Sequence, residues 1–184
     1  FRIDKIIDHE HWLGQKYELS RPRIQGEIQL FRWIRLNGNV NWGPATFYDE
    51  LAPFAGWSRS SSFDLSWQPS PRMNQSIGYT RVDFRRADTR ARVYDLDLVN
   101  TRTTFQFSKQ FFLRAIAQYD SLRAQVLTDF LASYELRPGT VAYAGYGSLY
   151  ERREFADQQW ILGAGEYLGT RRGFFMKASY LYRF

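Results

Sequence analysis

Both histidines of the chain stand together, in Asp8-His9-Glu10-His11. On a strand, His9 and His11 would share a face, because side chains alternate with a period of two. Imidazoles beside carboxylates are donors suited to zinc or copper. The segment lacks an H-E-x-x-H motif, so a solvated loop or strand end is the competing reading. No cofactor is expected. Hydrolysis would need a nucleophile with a base, or paired acids with a histidine. Serine is plentiful but histidine is confined to this one segment, no triad can be assembled, and an enzyme is not expected. A second set of charges is spread more widely: Arg35, Asp64, Arg102, Arg114, Asp129, Glu135, Arg137, Lys177 and Arg183. If brought to one surface they would suit a selectivity lining for anionic or sugar-like solutes. Paired with one another, they would instead plug that space, since an unpaired buried charge is costly.

These residues need elements to hold them. Residues 173–184 run G-F-F-M-K-A-S-Y-L-Y-R-F. Phe174, Met176, Ala178, Tyr180, Tyr182 and Phe184 form one face. Gly173, Phe175, Lys177, Ser179, Leu181 and Arg183 form the other, as on a strand. The alternation recurs upstream. Val126, Thr128, Phe130, Ala132, Tyr134 and Leu136 oppose Gln125, Asp129, Ser133, Glu135 and Arg137. Phe111, Leu113, Ala115, Ala117 and Tyr119 oppose Phe112, Arg114, Ile116, Gln118 and Asp120. Val99, Thr101, Thr103, Phe105 and Phe107 oppose Asn100, Arg102, Thr104, Gln106 and Ser108. Phe63, Leu65 and Trp67 oppose Ser62, Asp64, Ser66 and Gln68, and Ile34, Leu36, Val40 and Trp42 oppose Arg35, Asn37, Asn39 and Asn41. One apolar face and one polar face, strand after strand, is the pattern of a wall between lipid and a polar lumen.

Composition agrees. Aromatics make up 18% of the 184 residues, yet mean hydropathy is -0.49. No apolar run approaches the ~20 residues of a spanning helix. With no cysteine, disulfide frameworks and thiolate metal sites are excluded. Short connections are expected at 31–33, 69–72, 108–110 and 137–139, with a tight one at 121–123. Longer ones are expected at 45–60, 85–92 and 147–172, the last including a short helix within Phe155–Leu168. All six prolines are expected at strand ends or in connections, where a missing ladder donor does little harm. The expected architecture over residues 1–184 is an all-β, antiparallel transmembrane β-barrel of about ten strands, with short periplasmic turns and long extracellular loops. Residues 1–20 alternate poorly and fit a loop as well as a first strand.

The net charge is +6, and many arginines fall in the expected long connections: Arg85, Arg86, Arg90, Arg92, Arg152, Arg153, Arg171 and Arg172. Guanidinium forks match phosphate geometry, so contact with lipopolysaccharide is one reading of a face turned to the cell exterior. A solvated loop balanced by Asp88, Glu151 and Glu154 is the other. Nucleic-acid binding fits poorly, because the aromatics follow the apolar faces instead of interleaving with the arginines.

The terminus, with Lys177, Tyr180, Tyr182 and Phe184, resembles the C-terminal signal by which bacterial outer-membrane barrels are assembled, with Ser179 where that signal has Gly. It implies the barrel assembly machinery as a partner. Three segments, F-Q-F-S-K-Q-F-F-L-R-A-I-A-Q-Y-D at 105–120, Y-E-L-R-P-G-T-V-A-Y-A-G-Y at 134–146 and the terminal F-F-M-K-A-S-Y-L-Y-R-F, resemble the C-terminal region of an uncharacterised bacterial family. Its members carry an N-terminal domain similar to family 9 carbohydrate-binding modules, followed by an outer-membrane barrel. The resemblance implies a Gram-negative outer-membrane location, a missing N-terminal region and an association with carbohydrate. Two functions follow as expectations. One is a porin-like pore for passive transport of small solutes, sugars among them. The other is a plugged barrel that anchors a domain, partner or further subunit at the membrane. A soluble calycin-like barrel, with the faces inverted, is a third possibility that the terminal signal speaks against.

Overall fold

The computed structural model describes residues 1–12, 15–48, 53–156 and 159–181. Eleven strands account for nearly all of them: β1 (Arg2–Trp12), β2 (Gln15–Phe31), β3 (Ile34–Phe47), β4 (Phe54–Ser70), β5 (Met73–Arg86), β6 (Arg92–Gln106), β7 (Phe111–Asp120), β8 (Gln125–Arg137), β9 (Thr140–Ala156), β10 (Gln159–Leu162) and β11 (Glu166–Ser179). The described residues contain no helix. The strands form one antiparallel sheet in chain order from β1 to β10, with β11 on β9. The all-β antiparallel architecture expected from alternation is thus present. By chain contacts the molecule divides into two units. Unit 1 holds residues 1–65 and 78–97, and unit 2 holds 66–77 and 98–184.

Turns fall where the sequence places them, at 32–33, 71–72 and 138–139. Gly139 adopts φ 86°, a left-handed conformation that costs glycine little. The expected long connections are mostly strand. β3 and β4 extend to Phe47 and back to Phe54, and the connection between β5 and β6 is only 87–91. The segment 147–172 is not a loop, and no helix lies within its described residues. β9 continues to Ala156, and β10 and β11 run back along it. Leu162 and Glu166 both stand opposite Arg153, so residues 163–165 are looped out. Gly163 and Gly165, at φ 82° and 73°, make that excursion possible. Of the first twenty residues, 2–12 belong to β1 and 15–20 to β2, paired from Arg2↔Gln25 to Trp12↔Gln15.

Within unit 2 the registers assemble the alternating segments into two continuous faces. Thr103, Ala115, Phe130, Tyr146 and Phe174 form one cross-strand row, and Phe105, Leu113, Ala132, Ala144 and Met176 form the next. This apolar face is the open one, with Phe130, Phe174 and Met176 exposed at 52%, 66% and 76%. Two of the most buried side chains, Leu131 and Ser133, point to the opposite, polar face. Unit 1 repeats the arrangement. Ile3, Ile7, Ile28 and Phe63 are exposed on its apolar side, while Arg23, Gln25 and Glu27 on β2 stand beside Asn41, Asn39 and Asn37 on β3.

Candidate functional site

On the polar face of unit 1, a hydrophilic pocket of about 370 Å³ is formed by β1 to β4. Gln25 stands directly opposite Asn39, and Glu27 opposite Asn37. Ser62, Asp64 and Arg2 complete the lining. The charges nearby are largely compensated. Arg23 donates two hydrogen bonds to Asp4, at 2.8 and 2.5 Å, and Arg2 approaches the same carboxylate at 3.1 Å. Arg35 pairs with Glu27 at 3.2 Å. What remains is a set of amides, a hydroxyl and Asp64. The Oδ1 of Asn39 is buried without a hydrogen-bond partner. Gly78 leaves room for Asp64, whose Oδ1 would lie 2.9 Å from a side-chain carbon added there.

Farther along the same face the character changes. Phe84, 2% exposed, stacks on Tyr94 with ring centres 5.6 Å apart. Phe47 packs against both, and against Phe54 at 5.0 Å. Gly56 lies beneath Phe84, where any side chain would collide with the ring. The guanidinium of Arg86 sits 4.0 Å above the Phe54 ring, a cation–π contact. Sequence reading missed this aromatic cluster because it assigned Phe47 and Phe54 to a loop. A polar lining interrupted by four rings was not expected.

Arg86 also bonds Asp88 at 3.1 Å. That hydrogen bond, helped by the backbone N–H of Thr89, holds the Asp88 carboxyl down at about 2. Arg85, the adjacent residue, projects the opposite way. There Arg85 and Arg92 bracket Asp83 at 2.8 and 3.2 Å, Arg92 reaches Asp95 at 3.5 Å, and Arg81 reaches Asp97 at 3.5 Å. Arg59 and Ser61 border the same depression. The basic residues expected in loops are therefore mostly on strands. Of the eight, only Arg90 lies in a connection. In unit 2 they divide again by parity. Arg152 and Arg172 share the apolar side, opposite Tyr167 and Ser148 respectively, while Arg153 pairs with Glu151 at 2.5 Å and Arg171 stands opposite Leu149. They cluster by strand face, not by sequence neighbourhood, and Arg59, from the expected 45–60 connection, and Arg81, from within β5, join them.

Of the charges expected to share one surface, Arg102, Arg114, Asp129, Glu135 and Lys177 do lie on the polar face of unit 2. Arg102 faces Ile116, Asp129 faces Gly147, and Lys177 faces Tyr143. Arg137 ends β8 beside the turn, and Arg183 lies outside the described residues. Among the described residues, these unit 2 side chains have no opposite charge within pairing distance. The Nε of Arg114 is buried without a partner. His9 is exposed and opposite Glu18, and nothing is described of the His11 side chain. No group of three or more His, Asp or Glu among the described residues could hold a metal ion. At the terminus, β11 stops at Ser179, Tyr180 is exposed, and Tyr182 and Phe184 lie outside the described residues.

No protein-family model matches this chain, and no curated protein matches it. Among solved structures it is similar to the CymD monoaromatic hydrocarbon channel, at 14% identity and a TM-score of 0.38, over 73% of this chain and 47% of that one.

Proposed function

We propose that this chain forms a β-barrel of the Gram-negative outer membrane and lets small solutes pass. The observation that carries the reading is the inversion of its faces. Most of the large apolar side chains are exposed, and the polar side is the more enclosed, the reverse of what water as the only solvent selects. The height of the apolar face also fits. On β7 it runs from Phe111 to Tyr119, about 27 Å along a strand rising ~3.4 Å per residue. At a tilt of ~40° this is about 21 Å along the membrane normal, close to the ~25 Å apolar band of such barrels. Rings mark its lower end. Phe105, Phe107, Phe111 and Tyr134 are linked by contacts of 4.7, 5.2 and 6.4 Å between ring centres, as an interfacial girdle would be.

The solute class follows from the polar pocket of unit 1. Its ion pairs are internally balanced, and its free groups are amides, a hydroxyl and one carboxylate. Such a lining hydrogen-bonds neutral, hydroxyl-rich molecules and repels small anions, so sugars are the proposed cargo. Proteoliposome swelling tests this. Glucose is expected to enter faster than gluconate, and Asp64→Asn to narrow the difference. Equal exclusion of both would favour a second reading, a barrel that anchors a partner or an N-terminal domain with its lumen closed. The aromatic cluster around Phe84 is the observation on that side.

A further inference from the structure

We infer that the apolar face of unit 2 seats one lipopolysaccharide molecule, with an acyl chain in a trough floored by alanines and a phosphate on Arg172. The inference rests on the outer-membrane reading above. The trough is set by side-chain size and register. Ala132 stands opposite Ala144, and Ala115 stands opposite Phe130 on the neighbouring row. Phe130, Tyr146 and Phe174 rise on one side of these short side chains, and Phe105 and Leu113 on the other. Together they enclose a depression of about 320 Å³. A flat strand face merely touches bilayer lipid. A walled trough gives an alkyl chain contact on three sides, and small dispersion gains sum over its length.

The charge at one end selects the headgroup. Arg172 is on the same face as Phe174, two residues on, or about 7 Å along the strand. It is exposed, opposite Ser148, and has no acidic partner among the described residues. A lone cation bordering a lipid-facing surface is costly unless it meets an anion at headgroup depth. A guanidinium meets phosphate by paired, charge-assisted hydrogen bonds. Arg152, on the same side of β9, adds a second cation, although its Nε donates to the Gly165 carbonyl at 2.8 Å. This end of the sheet is the one carrying the 121–124 connection, since the Arg152 N–H bonds the Ala124 carbonyl at 2.8 Å. In the proposed orientation that is the outer leaflet, whose phosphate-bearing lipid is lipopolysaccharide.

The test uses the full chain, extracted from outer membranes in mild detergent, with lipopolysaccharide quantified per folded, heat-modifiable protein. Ala132→Phe fills the trough and Arg172→Glu reverses the charge. Each is expected to lower retained lipopolysaccharide about tenfold, the equivalent of ~1.4 kcal/mol. Gln118→Glu, on the polar face of β7, should leave it unchanged. Refolding of the wild type with added lipopolysaccharide should raise its unfolding temperature, and phosphatidylglycerol vesicles should not. Folded variants that retain wild-type amounts, or equal stabilisation by phosphatidylglycerol, would overturn the site while leaving the barrel intact. A wild type that folds in water without detergent would overturn the membrane reading and the site together.

Discussion

Phe175 on β11 packs over Gly145 on β9, directly across the strand pair, and its ring occupies the space that a side chain at Gly145 would need. An aromatic ring covering a cross-strand glycine shields the backbone there and pins the register of the two strands. Gly145→Ala is therefore expected to push the ring off its site and destabilise the fold by about 1–3 kcal/mol. The midpoint of the heat-modifiable gel shift reads this. In the Phe175→Ala background the same change should cost much less, because the two residues are coupled. Equal costs in both backgrounds would mean that the ring does not depend on the glycine.

Among the described residues of unit 1, Phe84 is the most enclosed large side chain. Its removal should cost about 3–5 kcal/mol, the range for a buried Phe→Ala change. The same variant separates structure from transport. If the four rings narrow the path, Phe84→Ala should raise single-channel conductance even as it lowers stability. Unchanged conductance in a folded variant would place the constriction elsewhere.

The two faces make opposite demands on one substitution. Phe130→Arg puts a charge on the apolar face, at a cost of about 2–4 kcal/mol near the bilayer midplane, and should sharply reduce insertion into vesicles. Gln118→Arg, on the polar face of the neighbouring strand β7, should insert normally. A soluble barrel with a ligand inside would show the reverse order, so flotation of the two variants with vesicles distinguishes the architectures.

The connection 87–91 has a built-in acid response. Asp88 is held at about 2 by Arg86 and Thr89, below the ~3.9 of an unfolded chain. A carboxyl depressed on folding contributes stability that is complete above its unfolded value and is lost as pH falls through its folded one. The Arg86–Asp88 contact should therefore loosen between about pH 4 and pH 2. Protection of the amides at residues 87–91, measured against the intrinsic exchange rate at each pH, should fall across that window, and Asp88→Asn should remove the step.

What the sequence made legible was the alternation itself. Every residue assigned to the apolar face of β7 and β8 from Phe111 to Tyr134 lies there, because a period of two leaves register no freedom once one face must avoid water. The ends were less legible. Lys5 and His9 interrupt the apolar side of β1, so its isoleucines did not announce a strand. Ala45, Phe47 and Phe54 were hidden in the expected 45–60 connection, although the stacking around Phe84 shows that Phe47 and Phe54 pack. The candidate site was half visible. Asn37, Asn39 and Asp64 were correctly grouped on the polar sides of their strands, but side-chain parity says nothing of which strands meet. The partnership of Glu27 with Arg35 and the convergence of Arg59 with Arg92 depended on that.

Thr170 is the residue that β11 has in excess over β9: Gly169 stands opposite Tyr150, and Arg171 opposite Leu149. Its hydroxyl donates to the Leu149 carbonyl at 3.4 Å. The chain thus changes reading frame at this point. Before it, odd-numbered residues such as Tyr167 share the side of Arg152, and after it even-numbered residues such as Arg172 do. Losing one residue here would not merely shorten a strand. It would exchange the inside and outside meanings of every position on one flank, so relatives of this chain should vary in length beyond residue 156 by even steps or at the 163–165 excursion, and conserve the odd one at 170.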